Sequence, residues 1–372
     1  MKIAVIGSGA IGGLVAGYLK NAGQEVILAG HQDSIEAISQ GGLNISGVRG
    51  NFNLKIQIRD RLKEKAGLVI LAVKTQDIEK AVEDNLEYLK GAAVLTTQNG
   101  IRADRRLAGY LAQENIISSI VMFGATYLTP GNIVHNFEGK WVLGRPFITN
   151  PLASARGGSL LNGSCLGSEV YKNQKGASDF SPGGSTDSRL KEIAGSLGKA
   201  FSTVVTDDIT GMKWLKIFVN ANNCLAAILG KSMQEAFSNL EVCKISIRIW
   251  QEGLRIVRQA GIKLVSLPDF PLERLLKLSA MPLEEAAGIF SGVMVNLSRK
   301  PLYGSILQSI KRKRLSEIDF INGEFAALAK ENKVSAVLNE RLVSLVHNVE
   351  QSGRFLSLGE LLESAGTKDE VF

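Results

Sequence analysis

The fold of this chain is restricted first by a glycine-rich turn near its N-terminus. Residues 2–6 form a short apolar run rich in β-branched side chains, and a helical pattern reaches to Lys20. Between them stand the six residues of a GxGxxG sequence, namely Gly7, Ser8, Gly9, Ala10, Ile11 and Gly12. In such a turn the first glycine permits a tight bend, the second lets the backbone approach a pyrophosphate, and the third lets the helix pack on the strand. Because a strand precedes the glycines and a helix follows them, the pattern predicts a dinucleotide site built from these six residues rather than an accidental turn.

The residues after the second predicted strand bear on the choice of cofactor. This strand covers residues 25–29 and is followed by Gly30, where enzymes that use NAD usually carry Asp or Glu for the ribose 2′-hydroxyl. No carboxylate occurs before Asp33, so the sequence favours NADPH, with NADH as the alternative. His31 and its polar neighbours could bind a 2′-phosphate, although an ordinary polar loop would look the same.

Two more predicted strands end in polar residues that could line a ligand cleft. Lys74 follows the apolar run at 66–73, and Asn99 follows the run at 93–97. In open parallel sheets ligands bind beyond the carboxyl ends of the strands, so both side chains are expected where cofactor and substrate meet. Each could also be a simple turn residue.

A polar stripe marks the helix predicted from Lys213 to Gly230. Within it Lys216, Asn220 and Asn223 recur at helical spacing, which places one amine and two carboxamides on one face. The alternative is a surface lysine whose stem packs on apolar neighbours, with two solvated asparagines beside it.

Length and pattern together predict two domains. A chain of 372 residues with 45% hydrophobic content is too long for one ordinary core. Strand and helix patterns alternate in residues 1–208, whereas residues 209–372 carry almost only helical spacing. We therefore predict an α/β dinucleotide-binding domain of the Rossmann type over 1–208 and an all-α domain over 209–372. The stretch from about 150 to 188 is rich in Gly, Ser and Asn, and is predicted to be a long flexible insertion in the first domain.

The formal net charge of +7 raises the question of an anionic partner. Basic residues are spread along the chain apart from the cluster Lys311–Arg314, which is predicted to be a solvated helix face, and no nucleic-acid motif is visible. The surplus therefore fits an anionic small molecule better than a nucleic acid.

Three cysteines without CxxC or Cys/His spacing predict neither a disulfide framework nor a metal site. No apolar run is long enough to span a bilayer and no leader pattern follows Met1, so a cytoplasmic protein is expected.

Six motifs occur in one order along the chain. Besides the glycine-rich turn and the Lys74 strand end, they are Gln98–Gly100, the KxxxN of Lys216–Asn220, the SxLQ of Ser305–Gln308 and the SEIDxxNG of Ser316–Gly323. In this order they resemble the ketopantoate reductase family, known also as 2-dehydropantoate 2-reductase, over nearly the whole length. Several motifs in the right order are far more specific than any one of them.

The resemblance implies an oxidoreductase that uses NADPH to reduce a small 2-oxo acid, by default 2-dehydropantoate to pantoate in pantothenate and coenzyme A biosynthesis. It implies a C-terminal domain like that of 6-phosphogluconate dehydrogenase, through which a homodimer could form. Lys216 would be the general acid that protonates the carbonyl oxygen, and Glu317 would lie near it and bind a substrate hydroxyl. The substrate-binding residues that the resemblance implies are Asn99, Asn220, Asn223 and Ser305, and the cofactor-binding residues beyond the glycine-rich turn are His31, Lys74 and Asn99.

The chain also departs from the family pattern. It has His31 where the family usually has arginine, Ser309 where Asp often follows SxLQ, and Cys224 where an asparagine commonly stands eight residues after the lysine. These departures leave the substrate open. One alternative is a related two-domain dehydrogenase acting on another 2-oxo or hydroxy acid. The SEIDxxNG motif argues against such enzymes that act on 3-hydroxy acids, glycerol phosphate or opines. The other is a nucleotide-binding sensor without catalysis, which has no need for both Lys216 and Glu317.

Overall fold

The structure is a computed structural model that describes residues 1–147, 187–298 and 300–366. The predicted insertion at about 150–188 lies outside these residues, apart from Asp187 and Ser188, which begin a helix. Asp187 caps that helix, because its side chain accepts a hydrogen bond from the Leu190 amide at 2.8 Å.

Twelve strands form two sheets in the described part of the chain. They are β1 (Ile3–Ile6), β2 (Val26–Ala29), β3 (Leu43–Gly47), β4 (Phe52–Leu54), β5 (Gln57–Arg59), β6 (Leu68–Leu71), β7 (Ala93–Thr96), β8 (Ile116–Val121), β9 (Gly124–Thr129), β10 (Asn132–Phe137), β11 (Trp141–Gly144) and β12 (Thr203–Val205). The main sheet has the order β5-β2-β1-β6-β7-β8-β11-β12. Its neighbouring strands are parallel except for β8 with β11. The central strands are continuous apolar runs buried on both faces, as a parallel sheet covered by helices requires.

The chain order of the main sheet reverses at β1. This strand pairs with β2 on one side and with β6 on the other, in register from Ile3 to Ile6. Ligands of open α/β sheets bind beyond the carboxyl ends of the strands at such a reversal. The glycine-rich turn follows β1, Lys74 follows β6 and Asn99 follows β7, so all three predicted contact points lie at this edge.

Helices cover both faces of the main sheet. They are α1 (Ala10–Asn21), α2 (Gln32–Gly41), α3 (Ile78–Glu83), α4 (Leu86–Leu89), α5 (Arg102–Ala108) and α6 (Ser188–Gly198). Successive residues of a strand point to opposite faces, and β1 shows the result. Ile3 and Val5 join the hydrophobic cluster that contains side chains of α1 and α6, whereas Ala4 and Ile6 join the cluster that contains side chains of α3 and α5.

A second sheet, of four strands, packs against α1, and the sequence patterns did not predict it. Its order is β4-β3-β10-β9. The contact is close, since a Cβ added to Gly17 of α1 would lie 3.2 Å from the Leu43 side chain of β3. These strands are three to six residues long and only partly buried. Their apolar alternation is therefore short, and polar residues interrupt it.

Helices make up nearly all of the described chain after β12. They are α7 (Ile209–Ala221), α8 (Asn223–Leu229), α9 (Met233–Phe237), α10 (Leu240–Gln259), α11 (Leu272–Ala280), α12 (Leu283–Val295), α13 (Ser305–Lys311), α14 (Asn322–Glu331), α15 (Val337–Ser352) and α16 (Leu358–Ser364). Helices α9 and α10 are separate, because the side chain of Asn239 accepts hydrogen bonds from two amides of the next turn and starts α10.

Two helices, α7 and α8, replace the single helix predicted over 213–230. The first begins earlier than predicted, after Asp208, whose side chain accepts a hydrogen bond from the Gly211 amide at 2.8 Å. Asn222 separates the two helices, although its φ of −72° and ψ of −15° are helical. Gly230 ends α8 in the left-handed conformation, with φ +69°.

A buried ion pair fixes α7 against the main sheet. Lys213 Nζ lies 2.8 Å from Asp104 Oδ2 of α5, and the two side chains are 4% and 5% exposed. Asp104 also accepts hydrogen bonds from the hydroxyls of Thr96 on β7 and Ser118 on β8, both at 2.6 Å. Ile120 of β8 belongs to the same hydrophobic cluster as the C-terminal helices. The predicted fold class, a Rossmann-type α/β part followed by an all-helical part, is confirmed, and α7 joins the two parts.

Candidate active site

The glycine-rich turn between β1 and α1 is constrained by the protein itself at two of its three glycines. Gly7 has φ +113°, and a Cβ there would lie 2.6 Å from the Ala72 carbonyl oxygen. A Cβ on Gly12 would lie 2.9 Å from the Ala72 Cβ. Gly9 is exposed, and a Cβ there would meet no atom within 4 Å. The open space above Gly9, in front of the N-terminus of α1, fits a pyrophosphate bound by backbone N–H groups.

The other residues of the turn adjoin the end of β2. Ser8 is buried, whereas Ala10 and Ile11 are half-buried in the first turn of α1. A Cβ on Gly30 would lie 2.6 Å from the Ser8 Cβ, so the present packing leaves no room for a carboxylate at this strand end. His31 is exposed at the start of α2, and its side chain forms no capping hydrogen bond. The ribose of an adenosine bound here would meet no acidic partner at position 30.

The strand end after β6 contacts the helical part through two consecutive residues. Lys74 Nζ donates a hydrogen bond to Ser309 Oγ at 3.0 Å and another to the carbonyl of Leu315. Glu317 Oε1 accepts hydrogen bonds from the Thr75 hydroxyl at 2.8 Å and from the Thr75 amide at 3.2 Å. Burial lowers the pKa of Lys74, while the negative charge of Glu317 opposes this.

The strand end after β7 contacts helix α7. Asn220 Nδ2 donates a hydrogen bond to Asn99 Oδ1 at 2.9 Å. This bond links two of the predicted substrate-binding residues, one on α7 and one after β7. Gln98 is buried, and its amide donates to the carbonyls of Leu71 and Val73 at 2.8 Å each. Gln98 therefore ties the end of β7 to the end of β6 and positions Asn99 beside α7.

Lys216 lies one turn before Asn220 on the same face of α7 and is half-buried. Burial lowers the pKa of its ammonium to about 8, and the negative charge of Asp269 only partly opposes this. Within the part of the chain that the structure describes, no hydrogen bond or ion pair engages Lys216 Nζ. An unpaired, half-buried amine of this pKa is suited to proton transfer near neutral pH.

Asn223 and Ser305 come together where α8 passes the start of α13. A Cβ on Gly304 would lie 3.3 Å from the Asn223 Cβ, so the two segments approach closely. Ser305 is exposed and Asn223 is partly exposed, which leaves both side chains accessible to a ligand.

The structure gives Glu317 a hydrogen-bond partner that the resemblance did not imply. The resemblance implies that this carboxylate lies near Lys216, and in the structure it accepts its hydrogen bonds from Thr75. The sequence patterns missed Thr75 as the partner of Glu317, although its place directly after a buried strand is a signal that could have found it. They also missed the pair of Asp104 with Lys213, which nothing in the local sequence marks.

The segment that carries Glu317 is fixed by contacts on its helical side. His347 Nδ1 lies 2.9 Å from Glu350 Oε2, and His347 Nε2 lies 3.1 Å from Asp319 Oδ1. Burial alone would lower the pKa of His347, but the hydrogen bonds and charges of the two carboxylates outweigh it and raise the pKa. Glu350 also accepts a hydrogen bond from the Ser316 amide at 2.6 Å, immediately before Glu317.

The same segment also contacts helix α5 of the N-terminal part. Phe320 packs against two guanidinium groups, with the carbon atoms of Arg102 and Arg106 at 4.7 and 5.1 Å from its ring centroid. Glu324 is buried, and its Oε2 lies 3.1 Å from Arg102 Nε. These contacts fix the segment at 316–324 directly against the strand ends and helix α5.

Two kinds of feature are absent from residues 1–147, 187–298 and 300–366. No helix in these ranges combines the length and the apolar content that crossing a membrane would need. No three side chains of the His, Cys, Asp and Glu types are grouped there as metal ligands would be.

Two family models match the chain. The model described as Ketopantoate reductase PanE/ApbA matches residues 3–146, and the model described as Ketopantoate reductase PanE/ApbA C terminal matches residues 208–350. The 2-dehydropantoate 2-reductase of Pyrococcus horikoshii is 30% identical over 358 residues, which are 95% of this chain and 99% of the relative. That of Pyrococcus abyssi is 27% identical over 353 residues, which are 94% of this chain and 98% of the relative.

Two solved structures have similar folds. A ternary structure of D-mandelate dehydrogenase with NADH and anilino(oxo)acetate has a TM-score of 0.73 and 23% identity, over 95% of this chain and 99% of the other. A PanE/ApbA family ketopantoate reductase from Ralstonia eutropha JMP134 has a TM-score of 0.71 and 22% identity, over 95% and 99%. These likenesses concern the fold, whereas the two family models together cover more than half of the chain. The chain therefore belongs to the ketopantoate reductase family, whose members are oxidoreductases that use NADPH and act on CH–OH groups.

Proposed function

We propose that this protein reduces a small 2-oxo acid to the 2-hydroxy acid with NADPH, and that 2-dehydropantoate is the substrate and pantoate the product. The observation that carries the proposal is the ammonium of Lys216, which lies on the face of α7 that meets the strand ends. Burial lowers the pKa of this ammonium to about 8. Reduction of a carbonyl needs a hydride at carbon and a proton at oxygen, and an acid with a pKa near the working pH delivers that proton best. Lys216 is the group proposed for this step.

The glycine-rich turn is proposed to hold the cofactor. Gly9 leaves open space for the pyrophosphate, and the N–H groups at the start of α1 face that space. Lys74 and Asn99, at the ends of β6 and β7, would border the nicotinamide half. The bound cofactor supplies the hydride to the carbonyl carbon.

Polar side chains where the helical part meets the strand ends are proposed to hold the substrate. Asn220, Asn223 and Ser305 offer donors for a carboxylate and a hydroxyl. Both hydrogen bonds from Thr75 reach Oε1 of Glu317, which leaves its Oε2 to accept a substrate hydroxyl. Because the oxo group gains negative charge during reduction, a lysine nearby also stabilises the transition state electrostatically.

A second candidate is an aromatic 2-oxo acid in place of 2-dehydropantoate. The specific observation is Cys224, which stands where family members with ketopantoate activity commonly carry asparagine. Its thiol is fully buried, and a thiol is a weaker hydrogen-bond donor and acceptor than the carboxamide of an asparagine. The similarity in fold to the D-mandelate dehydrogenase solved with anilino(oxo)acetate supports the same candidate.

Steady-state oxidation of NADPH and NADH against a panel of 2-oxo acids tests the proposal. The panel contains 2-dehydropantoate, an aromatic 2-oxo acid and pyruvate, and Lys216→Ala is the control for contaminating activity. We expect the highest kcat/KM for 2-dehydropantoate with NADPH. A higher value for the aromatic acid would establish the second candidate. Tight NADPH binding without turnover of any member would contradict both and indicate a sensor.

We also propose that residues 1–208 and 209–372 are the two domains and that the helical domain forms a homodimer. Ile289 and Val293 lie one turn apart on α12 and are 45% and 49% exposed, which gives this helix an apolar outer face. Light scattering after size-exclusion chromatography measures the mass in solution. A monomer at micromolar concentration would contradict the dimer.

A further inference from the structure

The basic cluster Lys311–Arg314 contains one residue that is not solvated. Lys311, Lys313 and Arg314 are exposed, as predicted for a helix end in water. Arg312 is half-buried, and its Nε is buried without a hydrogen-bond partner. Among the residues that the structure describes, no carboxylate forms an ion pair with Arg312.

Arg312 extends from the helical domain to the dinucleotide-binding domain. Its guanidinium carbon lies 5.5 Å from the ring centroid of Tyr127 on β9. The hydroxyl of Tyr127 lies 3.4 Å from Ser34 Oγ, at the start of α2. Ser34 follows Gly30 by four residues, at the strand end that borders the adenosine ribose in dinucleotide-binding folds. Arg312 therefore lies beside the adenosine end of the cofactor groove.

Positive charge converges on this groove from both domains. Burial lowers the pKa of Lys74, and the charges of Arg312 and Arg314 act in the same direction, against Glu317. The N-terminus of α1 adds the positive end of a helix dipole. A guanidinium that is partly buried without a counter-ion costs free energy, and an anion bound in the groove would offset that cost.

We propose that Arg312 is a phosphate ligand for the bound dinucleotide, supplied by the helical domain. A guanidinium offers five N–H donors in a fixed fork that matches phosphate oxygens, and the Tyr127 ring packs against that of Arg312. The 2′-phosphate of NADPH and the pyrophosphate common to NADPH and NADH share this chemistry. The inference rests on the proposed cofactor site and is independent of which 2-oxo acid is reduced.

Calorimetric titration of the full-length protein with NADPH and with NADH, in the absence of any 2-oxo acid, tests this role. Arg312→Gln is compared with Lys311→Gln, which removes the same charge from the neighbouring exposed position. We expect Arg312→Gln to weaken NADPH binding by roughly tenfold to a hundredfold, as loss of a charge-assisted hydrogen bond implies, and Lys311→Gln to weaken it by less than about threefold. A loss confined to NADPH identifies the 2′-phosphate, and an equal loss for NADH identifies the pyrophosphate. Equal affinities in wild type and Arg312→Gln overturn the proposal.

A second variant separates phosphate binding from packing on Tyr127. Arg312→Lys keeps the charge and the aliphatic stem but lacks the fork, so it should bind NADPH more weakly than wild type while unfolding at a similar temperature without cofactor. Wild-type affinity in Arg312→Lys would overturn the forked contact. Because no substrate is present, failure to reduce any 2-oxo acid would refute the proposed reaction and leave this result unaffected.

Discussion

Gly9 and Gly12 belong to one turn, but protein atoms restrict a larger side chain only at Gly12. A Cβ on Gly12 would lie 2.9 Å from the Ala72 Cβ, whereas a Cβ on Gly9 would meet no protein atom within 4 Å. The φ of −71° and ψ of −166° at Gly9 are extended and suit any residue. Only a ligand approaching the backbone there would need glycine at position 9.

We therefore expect Gly9→Val to weaken NADPH binding while changing the free energy of unfolding by less than about 1 kcal/mol, within the range of exposed substitutions. Gly12→Val should instead destabilise the fold, because the helix cannot then pack on the strand. Urea unfolding and calorimetric titration of both variants measure the two effects. Wild-type NADPH affinity in a folded Gly9→Val protein would remove the cofactor site from this turn.

The pKa of Lys216 sets the direction of a pH effect on reduction. The proposed acid must carry its proton, so the rate should be constant well below pH 8 and should fall about tenfold per unit well above the pKa of about 8. The profile of kcat/KM reports this group in the free enzyme. Lys216→Ala should lower turnover by about two to four orders of magnitude and remove the alkaline limb, with NADPH binding retained. An unchanged alkaline limb in the alanine variant would assign it to another group.

The position of a site residue could be predicted from the sequence where a single structural rule determines it. Lys74 and Asn99 were expected at the cleft because parallel strands end there, and the structure has both at that edge. The partners of these residues were not predictable. Arg312 packs on Tyr127, and Tyr127 belongs to the sheet that the patterns missed, so no sequence spacing connects the two.

At the scale of whole elements, the position of α7 depends on one buried ion pair. Lys213 and Asp104 are nearly inaccessible to solvent, and the carboxylate also accepts hydroxyl hydrogen bonds from β7 and β8. Removing one charge would leave the other buried without its counter-ion, which is strongly unfavourable.

We expect Lys213→Met to lower the free energy of unfolding by about 3–5 kcal/mol. The double variant Lys213→Met with Asp104→Asn should lose less, because no charge remains buried and the asparagine oxygen still accepts from the two hydroxyls. Urea unfolding of the two single variants and the double variant gives the coupling free energy. A loss below about 1 kcal/mol in Lys213→Met would show that the pair does not hold α7.

Whether a helix or strand could be predicted from the sequence depends on how much of it is buried. The strands of the main sheet are continuous apolar runs, so their sequences alone indicate them. The strands β3 and β4 are short and partly exposed, and their patterns are too weak to recognise. The break at Asn222 carries no Gly or Pro and has helical dihedral angles, so no local sequence signal marks it.

At the scale of the whole molecule, the two domains share a core. Ile120 and Val142 of the main sheet lie in the same hydrophobic cluster as the C-terminal helices. The segment at 316–324 adds polar and aromatic contacts to the strand ends. Loss of either domain would therefore expose buried surface of the other, and this dependence favours a single cooperative transition.

We expect one unfolding transition, observed equally by probes in each domain. Trp141 is buried in the main sheet and Trp250 in the helical domain, so variants that keep only one of these tryptophans report on one domain each. Within each variant, the fluorescence midpoint in urea should coincide with the midpoint measured by far-ultraviolet circular dichroism. Separate midpoints would show that the shared cluster does not couple the domains.

The packing of Gly30 on Ser8 makes a change of cofactor depend on the order of substitutions. NAD-dependent proteins of this fold carry an acidic residue at the position of Gly30. Here a Cβ at position 30 would lie only 2.6 Å from the Ser8 Cβ, so the present packing has no room for an acidic side chain. Gly30→Asp alone therefore forces Ser8 to shift, whereas Ser8→Gly removes the side chain that causes the clash. We therefore expect the two positions to be epistatic, so that Gly30→Asp destabilises the fold less when Ser8→Gly is already present.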